Sequence, residues 1–345
     1  MKLIHTAITL LLIALSIFIL IWGKSLLIPF VIALAIWYII VILTGEFQKI
    51  KYKKWVMPYW LAFIFAIITS SGVLYGIFSL INANVNDVID TAPAYQIKLE
   101  ALLSQAINTL GITKVDIVDY LFKQVDFANI FTNVAVTVTT LAGYLGAIII
   151  YVVFLFIEHR YFERKLEALT QNNEKYKRTQ VIMHKISQQI KKYIRSKTIM
   201  SFLTGFLSYI VLISVGVDFA EFWALLIFVL NYIPYIGSIV AIMFPIFFSL
   251  VQFDSLIPFF IVAILLIAIQ QAIGGFIEYK IEGRELNLSP IVIIISLALW
   301  GKIWGLTGMF LGIPIMVIIN IILANFPTTR PIAILLSEKG DINME

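Results

Sequence analysis

Asn231-Tyr232-Ile233-Pro234-Tyr235-Ile236-Gly237 lies in the middle of thirty-two consecutive residues, Phe222 to Phe253, that carry no formal charge. A stretch that apolar belongs in a bilayer, but its centre holds an amide, two phenols, a proline and a glycine where a plain spanning helix wants Leu and Ile. In hydrocarbon each unpaired backbone N–H or C=O costs several kcal/mol, so broken backbone persists only where protein or a water-filled cavity surrounds it. Breaks of this kind in corresponding parts of a chain point to the binding site of a membrane transporter. The break therefore decides both the fold class and where function is sought.

The rest of the chain agrees. It is 61% hydrophobic and 13% charged, against about 25% charged residues in soluble domains. Charge-free stretches run over 6–23, 25–45, 55–86, 127–157, 198–217, 222–253, 255–277, 286–301 and 303–329. One crossing needs about 20 apolar residues, so 286–301 is too short and 222–253 is longer than necessary. The absence of cysteine removes disulfides, thiolate metal sites and thiol nucleophiles. The first stretch has no small-residue cleavage site before Lys24 and reads as a retained helix.

Lys and Arg placement gives the orientation. The connection 46–54 carries Lys49, Lys51, Lys53 and Lys54 against Glu46, and 158–197 carries eleven basic residues against four Glu, so both belong in the cytoplasm. Between them 87–126 has three Lys against six acids and suits the outer face. These placements predict spans near 6–23, 25–45, 56–81 and 134–157 with a cytoplasmic N-terminus.

Two arrangements remain beyond residue 198. If every apolar stretch crosses once, giving eight simple spans, the Asp254 connection lies inside without a basic residue and Lys280 and Arg284 lie outside. If 222–250 and 290–324 are instead re-entrant hairpins of two half-helices, 199–216 crosses outward, 256–277 crosses inward, and Lys280 and Arg284 become cytoplasmic. The second arrangement is an all-α polytopic protein of about six full spans plus two inverted re-entrant hairpins, the plan of several secondary transporters. Gly237 with Pro245 in one hairpin answers Gly305, Gly308 and Pro314 in the other. The expected organisation is 1–81 for spans one to three, 82–133 as an extracytoplasmic helical domain, 134–157 as span four, 158–198 as a basic cytoplasmic segment, 199–325 as a transport core and 326–345 as a cytoplasmic tail.

Both aqueous segments read as helical. Outside, Thr91 caps a helix opening at Pro93, with Leu99, Leu102, Leu103, Ala106, Ile107 and Leu110 at helical spacing before Gly111. Thr113-Lys114-Val115-Asp116 resembles a capping box opening a second helix. Inside, Ile182, Ile186, Ile190, Tyr193 and Ile194 form one face of a basic helix, which either lies on anionic lipid headgroups or packs on its own protein.

No G-x-x-x-x-G-K-[ST] loop is present. His5, His159 and His184 lack partners at metal spacing and read as interfacial side chains. No nucleic-acid module accompanies the charge. The expectation is a non-enzyme with no cofactor, working on a gradient. Polar groups in apolar stretches are costly and usually face a bundle interior or cavity. They are Asn231, Tyr232, Tyr235 and Ser238 at the first break, Gln270 and Gln271 in 255–277, and Ser296, Lys302, Thr307, Asn320 and Asn325 in the last segment. Glu278 stands just past the end of a span. Asn and Gln can hold ions or hydroxyl-rich solutes or bind helices together. Small polar and glycine positions on the hairpins also predict a homo-oligomer.

Asn231-Tyr-Ile-Pro-Tyr-Ile-Gly237 with Pro245, the pair Gln270-Gln271, the turn Gly283-Arg284-Glu285-Leu286-Asn287-Leu288-Ser289-Pro290, and Gly301…Gly305-x-x-Gly308…Pro314 together resemble the autoinducer-two exporter family, also called the PerM-like permeases. The resemblance implies a bacterial inner-membrane permease with cytoplasmic termini. Its members are linked to export of the furanone autoinducer-two or to sodium/proton exchange. Ile273 and Gly275 stand where family members commonly have an acid and an Asn, and Tyr279 where they have Pro. The residues expected to line the pathway are Asn231, Tyr232, Pro234, Tyr235, Gly237, Gln270, Gln271, Glu278, Gly305, Gly308, Pro314 and Asn320. A different class stays open, a membrane scaffold that binds a partner through 82–133.

Overall fold

The computed structural model describes residues 2–52, 55–110, 143–169, 173–278 and 287–340. They are almost entirely helical. Helices α1 (Lys2–Trp22) and α2 (Lys24–Gln48) lead to a two-residue antiparallel pair, β1 (Lys51–Tyr52) with β2 (Trp55–Val56), and then to α3 (Tyr59–Leu110). There follow α4 (Leu145–Leu169), α5 (Asn173–Val215), α6 (Ala220–Leu230), α7 (Ile236–Gln252) and α8 (Leu256–Gln270). A π-helical segment, Gln271–Glu278, continues α8. Finally come α9 (Pro290–Ala324) and α10 (Arg330–Leu336). Among the described residues, six helical stretches are long and apolar enough to cross a membrane: Lys24–Gln48, Tyr59–Leu80, Leu145–Leu169, Tyr176–Val215, Leu256–Gly275 and Pro290–Ala324. The protein is an all-α polytopic membrane protein.

Several helices outrun the predicted boundaries. α3 passes straight through Thr91 and Pro93, so no new helix starts there. The physical reason is the cost of starting again. A fresh helix carries a nucleation factor of about 10⁻³, which is no cheaper than the ~3 kcal/mol of a mid-helix proline. In the same way α4 extends past residue 157, and α5 joins the basic segment to the apolar 199–216 without a break. A change from water to hydrocarbon alters what suits the side chains but leaves the i→i−4 backbone bonds intact. The predicted box at 113–116, Lys280 and Arg284 lie outside the described residues.

The chain divides into two compact units, and each is described by itself. One holds Met1–Ser70, Tyr144–Ser196 and Lys280–Glu345. In it α2 packs along α4, with Phe30 edge-on to Tyr151 at 5.5 Å and Trp37 edge-on to His159 at 5.3 Å. The first half of α5 docks here through its apolar face, since Ile182, Ile186, Ile190 and Ile194 are half-buried and Tyr193 is buried. Lys191 pairs with Glu46 at 3.1 Å, and the Tyr38 hydroxyl lies 3.0 Å from Ser187 Oγ. The basic helix therefore packs on its own protein.

This unit also contains a helical hairpin. Gly305, with φ 63° and ψ −142°, breaks α9 into two limbs. The Ser296 hydroxyl donates to the Gly312 carbonyl at 3.2 Å, although sixteen residues of straight helix would separate them by about 24 Å. Further from the bend, the Asn320 amide donates to the Asn287 carbonyl at 3.4 Å. The two limbs therefore run side by side.

The other unit holds Ser71–Gly143 and Lys197–Tyr279, and its core is a second hairpin, α6 with α7. Trp223 stacks on Phe244 with centroids 6.2 Å apart and touches Phe248 at 5.3 Å, while Leu212, Val262 and Leu266 close the cluster from α5 and α8. Gln252 fastens the open end. Its amide accepts from the Asp218 N–H and donates to the Gly216 carbonyl, both at 2.9 Å. The eleven residues of α6 span only about 16 Å, half of a ~30 Å hydrocarbon core. Lys98 of α3 pairs with Asp254 at 2.9 Å beside this end.

Two glycines make the hairpins possible by close approach. A Cβ on Gly308 would stand 1.9 Å from the Trp300 carbonyl oxygen, and one on Gly237 would stand 2.0 Å from that of Leu230. Both neighbours are backbone and cannot swing aside. Gly308→Ala and Gly237→Ala are each expected to cost about 1–3 kcal/mol or more by overpacking, whereas Gly45→Ala, with nothing within 4 Å, is not. Thermal unfolding in mild detergent checks this, and equal midpoints for all three variants would contradict the close approach.

Candidate functional site

The tip of the α6–α7 hairpin is built by what its sequence forbids. α6 ends at Leu230, and the Asn231 and Ile233 N–H groups still bond back to Ile227 and Leu230 at 3.0 and 2.9 Å. Pro234 has no N–H and cannot extend the ladder. The chain then turns at Tyr235, with φ 61° and ψ −59°, and the Ile236 N–H reaches the Pro234 carbonyl at 2.7 Å. An i→i+2 bond across a positive-φ residue is a γ-turn of the rare, strained kind. Such backbone costs about 1–3 kcal/mol and collects at functional sites. The left-handed residue is thus Tyr235, half-exposed at 52%, whereas Gly237 serves close packing at the start of α7.

Asn231 is 1% exposed. Its Nδ2 donates to Ser201 Oγ of α5 at 3.2 Å, and its Oδ1 has no hydrogen-bond partner. One residue on, the Tyr232 hydroxyl donates to Thr198 Oγ1 at 2.8 Å, and Ser238 Oγ donates to the Tyr235 carbonyl at 3.3 Å. Pro234 is buried. Sequence reasoning thus located the tip but missed its partner helix. Lys197, Ser201, Thr204 and Ser208 of α5 are each no more than 1% exposed. The signal is a set of polar residues four, three and four apart leading into an apolar run, but in the sequence Lys197 reads as the end of the basic segment.

The other predicted residues fall elsewhere. Gly305 forms the bend of α9, in a region of φ/ψ open essentially to glycine alone. Gly308 is its tightest contact, Pro314 lies within the second limb, and Asn320 is buried near that limb's far end with Oδ1 unpartnered. Trp304, beside the bend, donates from Nε1 to the Leu20 carbonyl of α1 at 3.0 Å. Gln270 closes α8 with a buried, unpartnered Oε1. Gln271 is exposed, and Glu278 ends the π-helical segment with its side chain outside the described residues. Such π-helical turns are rare and frequent at functional sites. Gly305 and Gly308 with Pro314 and Asn320 belong to one unit, and Asn231 to Gly237 with Gln270, Gln271 and Glu278 to the other.

A family model described as "AI-2E family transporter" matches residues 8–328. The chain belongs to that family. Among curated relatives, the AI-2 transport protein TqsA of Escherichia coli is 28% identical over 330 residues, covering 94% of this chain and 92% of TqsA. A putative transport protein of Haemophilus influenzae is 28% identical over 326 residues, 92% of each chain. One of Borreliella burgdorferi is 37% identical over 186 residues, 53% of this chain and 51% of the relative. The fold and these relatives make this AI-2E family member a multi-pass membrane transport protein.

In this AI-2E family transporter the strain at Tyr235 is open to measurement. Tyr235→Gly removes a half-exposed ring and places at positive φ the residue that tolerates it. It is expected to unfold no earlier than wild type, with a gain of up to about 1 kcal/mol. Tyr235→Val, β-branched in the same turn, is expected to lose at least as much. Unfolding midpoints in the reverse order would contradict the strained turn.

Proposed function

We propose that the protein is a gradient-driven secondary transporter that exports a small polar solute of the autoinducer-two kind across a bacterial inner membrane. The observation that carries this reading is Asn231. A buried amide oxygen without a partner forfeits about 1–3 kcal/mol, and it sits beside a strained break at the end of α6, a helix too short to cross. That is where a transporter needs a group ready for a solute. In this reading both hairpins are re-entrant, with tips sheltered inside the membrane. Asn231, Tyr232, Pro234, Tyr235 and Gly237 form the first site, Gln270, Gln271 and Glu278 flank it, and Gly305, Gly308, Pro314 and Asn320 form the second element. N- and C-termini lie in the cytoplasm, exposed apolar faces meet lipid, and copies of the chain assemble as a homo-oligomer. A second reading rests on the same oxygen. An amide carbonyl is a hard donor, which suits exchange of a monovalent cation such as sodium for protons.

Transport in proteoliposomes tests the assignment, with autoinducer-two flux and sodium-driven proton flux measured separately. Asn231→Leu is expected to lower flux per folded molecule at least tenfold in whichever assay wild type shows activity. Pro234→Ala restores helix propensity at the tip and is expected to impair flux without lowering the unfolding midpoint. Wild-type flux in both variants, or a variant that loses flux only in proportion to its loss of folded protein, would return the break to a packing role, whereas wild type without flux in either assay would favour a scaffold.

A further inference from the structure

Lys197, Ser201, Thr204 and Ser208 fall within an arc of about 60° on α5 at 100° per residue, forming a stripe about 16 Å long. The opposite side of the same helix carries Phe202, Phe206, Ile210 and Ile213, all exposed. A polar line buried in an apolar helix needs a reason, and close helix packing is the ordinary one. Here packing is served by a different residue. Gly205 lies off the stripe, and a Cβ there would stand 3.0 Å from both the Ala224 carbonyl oxygen and Phe228 Cβ of α6. The hydroxyls do not set that approach.

Their hydrogen bonds differ from one to the next. Thr204 Oγ1 donates to the Met200 carbonyl of its own helix at 2.9 Å. Ser201 Oγ accepts from the Asn231 amide. Ser208 Oγ, at 0% exposure, has no hydrogen-bond partner, and neither has Asn231 Oδ1. The open positions along the wall are therefore an amide carbonyl, which accepts only, and hydroxyls, which both accept and donate. Ser201 and Ser208, seven residues apart, lie about 10 Å from each other along the axis.

We propose that Ser201 and Ser208 of this stripe form a second wall of the α6–α7 site, where their hydroxyls meet those of the transported solute. The inference rests on the transport reading above and adds two solute-contacting positions on α5 to it. A carbonyl that lacks a donor is matched by a solute O–H, and hydroxyls along the wall exchange bonds with successive solute hydroxyls. A solute whose hydroxyls are blocked leaves Asn231 Oδ1 unpaired, so it is rejected for the same reason that any site built to bond an O–H rejects the analogue lacking it. Thr204 lies outside that pair, its hydroxyl proton held by the Met200 carbonyl of its own helix.

The test uses full-length protein in proteoliposomes with labelled autoinducer-two as the probe. Ser201→Ala and Ser208→Ala are each expected to slow uptake about three- to tenfold, the loss of one hydrogen bond, while Thr204→Val keeps the wild-type rate. On wild-type protein, unlabelled autoinducer-two competes and its O-methylated derivative does not, a readout that depends on no variant folding. If wild type transports the probe but both serine variants match it, or the methylated derivative competes equally, the stripe is overturned and the transport reading stands. If wild type moves no probe and exchanges only sodium for protons, the solute reading and this inference fall together.

Discussion

Everything in this structure answers one constraint: inside hydrocarbon the backbone has no water to pair with, so a helix that stops must stop against protein. The chain stops twice within apolar sequence, at Asn231–Gly237 and at Gly305. Each time the stop is covered by folding the following helix back on the preceding one. That return needs the limbs closer than ordinary side chains allow, which is why Gly237 and Gly308 sit against backbone carbonyl oxygens. It also needs the open end fastened, and the Gln252 amide bonds both to Gly216 and to Asp218 there. The tip, the tight glycine and the fastened base are parts of one solution.

Strain and an unpartnered polar atom meet at the first tip. Tyr235 holds a positive φ, and Asn231 buries an oxygen that nothing satisfies. Either feature alone is a modest local cost. They lie next to each other, beside a buried line of hydroxyls on α5. The α9 bend differs. Glycine takes its φ/ψ without a side-chain penalty, and the adjacent Trp304 ties it to α1.

The hairpin tips were legible in the sequence because proline, glycine and asparagine are anomalous in an apolar run, whatever surrounds them. The length of 222–253, more than one crossing needs, pointed the same way. What was not legible was tertiary. Nothing in the residue types marks Tyr235 as the left-handed residue of the turn, which the bond from Ile236 to Pro234 shows it to be. The polar positions of α5 were masked by the basic run ending at Lys197, since charge near a span boundary reads as a solvated end. Thr91 and Pro93 look like a helix start in isolation, and only the continuity of α3 outweighs them.

The central claim is that 222–253 returns to the side it entered from, leaving Leu256–Gln270 to make the crossing. The native chain has no cysteine, so single cysteines at Asp254 and Tyr279 report their sides cleanly in cells treated with a membrane-impermeant thiol reagent. The account predicts that Asp254→Cys labels in intact cells, while Tyr279→Cys labels only in inverted vesicles. The opposite pattern, with Tyr279→Cys labelled from outside and Asp254→Cys protected, would mean that each apolar stretch crosses once and would contradict the account.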